Sequence, residues 1–120
     1  MTEPVEILYI DDDGAISTLV VLADVVGAFA VHTSIPERLC GWAITHRASG
    51  LSVARARLRS VADGVARALD EEAGDGRIEI ETTGIASTAT RKRIAAIVAE
   101  TMGLFLARGL ARFEAVAEAT

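Results

Sequence analysis

The chain has 120 residues, 51% of them hydrophobic, and a formal net charge of −5 at neutral pH. A chain of this size is usually one domain, buries roughly two-thirds of the surface its unfolded form exposes, and folds without a metal or disulfide staple. Its single cysteine, Cys40, excludes an intramolecular disulfide, and its acidic balance argues against general nucleic-acid binding.

The opening residues, MTEPVEI, have neither a basic n-region nor an apolar h-region, which predicts a cytoplasmic protein. Residues 5–10, VEILYI, alternate as a strand does. Residues 11–14, DDDG, have turn chemistry, and residues 15–23, AISTLVVLA, are rich in β-branched residues, so the three together predict a hairpin. A helix over residues 16–30 competes with this, because Ile16, Leu19, Val20 and Ala23 also suit a helical period. The apolar run over residues 15–31 is short for a bilayer and carries Asp24 near its centre, where a charge costs about 3 kcal/mol, so no membrane span is expected.

Residues 28–34 and 40–46 read as two further strands, the second placing Cys40, Trp42, Ile44 and His46 on one side. RASG at 47–50 is a turn into a short strand over residues 51–54. From residue 55 to 72 the period changes: Leu58, Val61, Ala62, Val65 and Leu69 form a helical stripe that should lie on the sheet. Residues 77–82, RIEIET, alternate again and predict an edge strand. Ser87 and Thr88 are candidate N-caps for a last helix running to Val116, which Gly103 and Gly109 are expected to kink or break. The fold class predicted is α+β: an antiparallel sheet of about five or six strands with two helices packed on it, residues 1–120 forming one domain.

Charge is blocked along the chain. Residues 1–37 hold acids and no lysine or arginine, residues 38–67 hold six arginines against Asp63, acids return over residues 70–81, and Arg91, Lys92 and Arg93 follow. Such blocks suit an oriented contact with another protein. The acidic candidates for that contact are Asp11, Asp12, Asp13, Asp70, Glu71 and Glu72. The basic candidates, for a protein or for nucleic acid, are Arg55, Arg59, Arg91, Lys92 and Arg93, with Arg55 and Arg59 expected on one helix face. Around MGLFLARGL the last helix is apolar on nearly every side, which marks Met102, Leu104, Phe105, Leu106, Leu110 and Phe113 as a dimer or partner surface.

Two resemblances bear on chemistry. ILYIDDD at residues 7–13 resembles the end of the first strand of a receiver domain, where an acid pair holds Mg²⁺ beside a later acceptor aspartate, a Ser or Thr and a Lys. GLSVARARLR supplies no acceptor, and the only lysine, Lys92, sits among arginines, so this resemblance is rejected. DDDGAIST also resembles the D-x-D-G opening of haloacid-dehalogenase-type phosphatases, which implies Asp11 as nucleophile and Asp13 as acid, but Ala15 replaces the usual Thr. The turn reading of residues 12–14 is preferred, and Mg²⁺-dependent phosphotransfer stays as the further alternative. His32, Cys40 and His46 are zinc-ligand types in no paired ligand spacing, so no metal, cofactor or catalytic residue is predicted.

GWAITHRASG, residues 41–50, followed by an Ala- and Arg-rich helix, is similar to a pattern in small phage and mobile-element proteins, W-x-[IV]-T-H-x-x-[ST]-G. The resemblance implies an accessory protein that binds or inhibits a host protein complex, as anti-CRISPR inhibitors do. The expectation is therefore a non-catalytic binding protein, with homodimerisation compatible and nucleic-acid binding through the arginines as the alternative.

Overall fold

The computed structural model of the chain describes residues 2–10, 13–33, 41–82 and 86–119, excepting the side chains of Ile10 and of residues 104–119. Asp11, Asp12 and Cys40, and the side chains of Leu104, Phe105, Leu106, Leu110 and Phe113, thus lie outside the described residues. Five strands, β1 (Thr2–Ile10), β2 (Ile16–Val26), β3 (Phe29–Thr33), β4 (Trp42–His46) and β5 (Ser52–Ala56), precede two helices, α1 (Arg59–Gly74) and α2 (Thr88–Ala119). The strands form one antiparallel meander in the order β1-β2-β3-β4-β5. The α+β class is as expected.

The period of two divides the sheet into two faces. Phe29, Val31, Ile44 and Ala56 face the helices and pack on the α1 stripe of Val61, Ala62, Val65, Ala66 and Leu69, with Ile94 and Ile97 of α2 closing the core. On the opposite face Val5, Ile7, Ala23 and Ala30 form a second cluster. No helix covers that second cluster from outside; it is buried because the sheet curls. The Leu8 N–H donates to the Gly50 carbonyl at 2.8 Å, so the β4–β5 turn closes onto the outer edge of β1. Gly50 has φ 74°, and a Cβ there would come within 3.2 Å of the Glu6 carbonyl oxygen. The glycine permits the approach.

Residues 16–26 resolve as strand, and the helical alternative fails because the full β1–β2 register, Thr2↔Asp24 to Ile10↔Ile16, supplies main-chain partners that a helix would forgo. Three expectations are corrected. The strand expected at 77–82 is an isolated bridge between Ile80 and Ala86. The first helix starts at Arg59, with Leu58 as its N-cap and 63% exposed, because the alternation Ala54, Arg55, Ala56 continues β5. Arg55 therefore stands on a strand and shares no helix face with Arg59. Finally, α2 runs unbroken through Gly103 and Gly109, so their low propensity does not end it. Ser87 is its N-cap as expected, its hydroxyl accepting from the Thr90 N–H at 3.1 Å.

Gly27 and Ala28 turn β2 into β3, with Gly27 at φ 58° and the Ala28 N–H donating to Asp70 Oδ1 of α1 at 3.1 Å. A Cβ on Gly27 would fall 2.0 Å from that same oxygen. Gly27→Ala should therefore lower stability by about 1–3 kcal/mol, through the positive φ and loss of the Asp70 contact. Urea unfolding measures this, and an unchanged midpoint would contradict the turn geometry.

Candidate functional site

Four of the expected contact charges, Glu72, Arg93, Arg59 and Asp70, are engaged inside the fold. Glu72 is buried on α1 and accepts from Arg93 Nε at 2.7 and 3.0 Å. Arg93 also reaches Glu100 at 3.4 Å, so the pair ties α1 to the start of α2. The Glu72 carboxylate, with a smaller contribution from Glu100, holds the Arg93 guanidinium above its ordinary pKa. Arg59 pairs with Asp24 of β2 and with Asp63, and its guanidinium lies 5.1 Å from the Trp42 ring centroid. Asp70 fixes the β2–β3 turn. Arg55, Glu71, Arg91 and Lys92 are exposed and make no ion pair among the described residues, and Asp13 is exposed as well.

Only Arg91 of the basic cluster falls in the first turn of α2, where a cation opposes the helix dipole. Arg93 has its counter-charge in Glu72; Arg91 has none among the described residues.

Beside Arg91 lies a cleft of about 680 Å³ between β5 and α2. That volume falls within the roughly 300–1,000 Å³ of ligand-sized clefts. One wall is the strand Ser52, Val53, Ala54 and Arg55; the other is Arg91, Ile94, Ala95 and Val98 of α2, with Ile80 and Ala86 at the end. Arg91, Ala95, Val98 and Met102 follow one another at helical spacing, which continues this wall to Met102, 42% exposed. The cleft exists because β5 is the last strand of the sheet, while Ala54, Ala86 and Ala95 leave the space between strand and helix unfilled. No Asp or Glu among the described residues lines it.

An outermost strand presents main-chain N–H and C=O groups with no strand neighbour on its outer side. The β5 ladder is also irregular: its register shifts by one residue between Ile44 and Thr45, which leaves Val53 unpaired with β4. Chemically, the cleft combines an open edge of main chain, an apolar wall and two cations. Among the described residues it holds no nucleophile–base pair. The sequence reading grouped Arg55 with Arg91 in one basic surface and put Met102 on a separate apolar one; Val53, Ala54, Ile94, Ala95 and Val98 were legible only as core or filler.

The histidines are tasked differently. His32 Nδ1 donates to the Thr33 carbonyl at 2.7 Å, so its Nε2 accepts from the Thr45 hydroxyl at 2.7 Å, the pattern of a neutral ring. His46 lies on the opposite face, tilted against Phe29 and bonded through Nδ1 to Ser49 Oγ at 2.9 Å. The two rings share no site. No group of three or more potential metal ligands occurs among the described residues. Each marked position of the 42–50 pattern has a structural role: Trp42 under Arg59, Ile44 in the core, Thr45 on His32, His46 on Ser49, and Gly50 against β1.

No protein-family model matches the chain, and no curated protein or solved structure matches it significantly. No described helix is long and apolar enough to cross a membrane.

Burial lowers the pKa of His32, the Thr33 carbonyl partly offsets this, and the Arg55 charge lowers it further; burial alone lowers that of His46. The fold thus holds both rings neutral, and the unfolded chain binds more protons below about pH 6.5. Stability should be complete above that pH and fall as the pH drops through the folded pKa values. His32→Gln should flatten the decline in urea midpoint measured from neutral to mildly acidic pH; an unchanged slope would contradict the neutral, buried ring.

Proposed function

We propose that this chain is a non-catalytic accessory protein that binds a host protein or protein complex, in the manner of an anti-CRISPR inhibitor, through the cleft between β5 and α2. The observation that carries the reading is the division of its charges. Glu72, Arg93, Arg59, Asp24 and Asp70 are spent within the fold, whereas Arg55 and Arg91 flank an open apolar cleft beside an edge strand. Arg91 there runs against the helix dipole without a counter-charge among the described residues, which is understandable if an external acidic group supplies one. The accessory origin rests on the resemblance of residues 41–50 and the helix after them to small phage and mobile-element proteins.

The test is a tagged pull-down from native host lysate, with and without nuclease, using the natural chain and Ala95→Trp. Ala95 is exposed on the cleft wall, so the indole fills the cleft and leaves the core intact. A stoichiometric protein that survives nuclease and is lost with Ala95→Trp is the expected result. Loss of every partner on nuclease treatment would transfer Arg55, Arg91 and Lys92 to the nucleic-acid reading, in which binding weakens steeply with salt.

A second surface supports self-association. Ile16, Val20 and Leu22 of β2 are 74%, 64% and 70% exposed on the side of the sheet that bears the helices, beyond the point where Arg59 and Asp24 mark the limit of α1. Three large apolar residues in one row are a self-complementary patch of the kind that two copies bury about a two-fold axis. Light scattering should give twice the chain mass, and Leu22→Glu should return the monomer; a monomer at all concentrations would end the homodimer proposal.

A further inference from the structure

We infer that the cleft takes an extended acidic segment of its partner, added as a sixth strand along β5. This rests on the reading of the cleft as the binding face and specifies its ligand chemistry. Three observations converge. First, β5 is an outermost strand, and its residues Ser52 to Arg55 form one wall, so an occupant meets the main-chain groups of a strand edge, irregular at Val53. Second, the opposite wall is helical and apolar, with Ala95 at its centre. A strand inserted between them turns alternate side chains toward Ile94, Ala95 and Val98, and the small Ala95 leaves room for a branched aliphatic or medium-sized apolar residue there. Third, the charges lining the cleft among the described residues are Arg55 and Arg91, with no described acid beside them. Asp or Glu flanking the apolar residue would meet a guanidinium from either wall.

The length is bounded too. Four residues of β5 at about 3.3 Å each give about 13 Å of ladder, so the recognised core is four or five residues. A helix is a poor occupant because it satisfies its own main chain and would leave the β5 edge without partners. Nucleic acid would satisfy the arginines and leave the apolar wall uncovered.

The experiment is selection of short random displayed peptides on the full chain, with counter-selection on Ala95→Trp. The expected outcome is enrichment of an extended motif with acids around one aliphatic residue. Its affinity should fall about tenfold in Arg91→Glu, the loss of one charge-assisted contact. That variant also removes a cation from the first turn of α2, so its thermal midpoint should rise, separating lost binding from lost folding. Backbone N-methylation of the peptide at alternate positions should weaken binding about tenfold in one register and leave the other register unaffected. Equal tolerance in both registers would overturn strand addition. Enrichment of basic or helical motifs sensitive to Ala95→Trp would overturn this inference and leave the cleft as the binding face. No enrichment, together with lysate capture indifferent to Ala95→Trp, would overturn both. Self-association abolished by Ala95→Trp, with no acidic motif enriched, would make a second copy the occupant and equally overturn it.

Discussion

A meander of strands has two outer edges, and the way each edge's main-chain groups find partners governs this protein. At β1 the edge is met internally at one point: the sheet curls until the β4–β5 turn reaches Leu8, and Gly50 lets the two backbones meet. At β5 the edge runs beside a helix without pairing to it. The curl also accounts for the second buried cluster of Val5, Ile7, Ala23 and Ala30, which holds the long β1–β2 hairpin in place without a covering helix. One edge is pinned at Leu8 by the Gly50 turn and the other faces a cleft.

What keeps the cleft open is the placement of α2. Ile94 and Ile97 anchor the helix in the main core, and Glu72 grips Arg93 from α1, so the row Arg91, Ala95 and Val98 is held opposite β5. The Glu72–Arg93 contact is half exposed on the arginine side, so its value lies more in fixing the position of the helix than in raw stability. Trp42 beneath Arg59, and Arg59 across to Asp24, perform the matching task at the start of α1. Two helices are therefore positioned by charge–charge and cation–π contacts laid over an aliphatic core, and these contacts employ one or more charges from each block of the sequence.

The fold class was legible because strand and helix periods are separately visible in this chain: Ile7 against Glu6, Ile44 against Thr45, and the Val61 to Leu69 stripe each belong to one period only. The errors fell where composition satisfies two periods. The ARAR run at 54–57 fits a strand or an i, i+4 helix face, and ladder pairing with β4 decided for strand. RIEIET alternates like a strand but finds only the Ile80–Ala86 bridge, since the open edge of β5 is not what it pairs with. The cleft was not legible at all, because it is made of alanines and valines whose role depends on which elements meet. Arg91 alone gave a hint, as a cation placed against a helix dipole.

The central claim is that the outer edge of β5 is the binding face, and amide hydrogen exchange of the chain with and without its captured partner tests it most directly. The account predicts slowed exchange within residues 52–55 on binding, with β1 unchanged because the partner meets only the β5 edge. Protection confined to the β1–β2 face or to α1, with residues 52–55 exchanging as in the unbound chain, would contradict it.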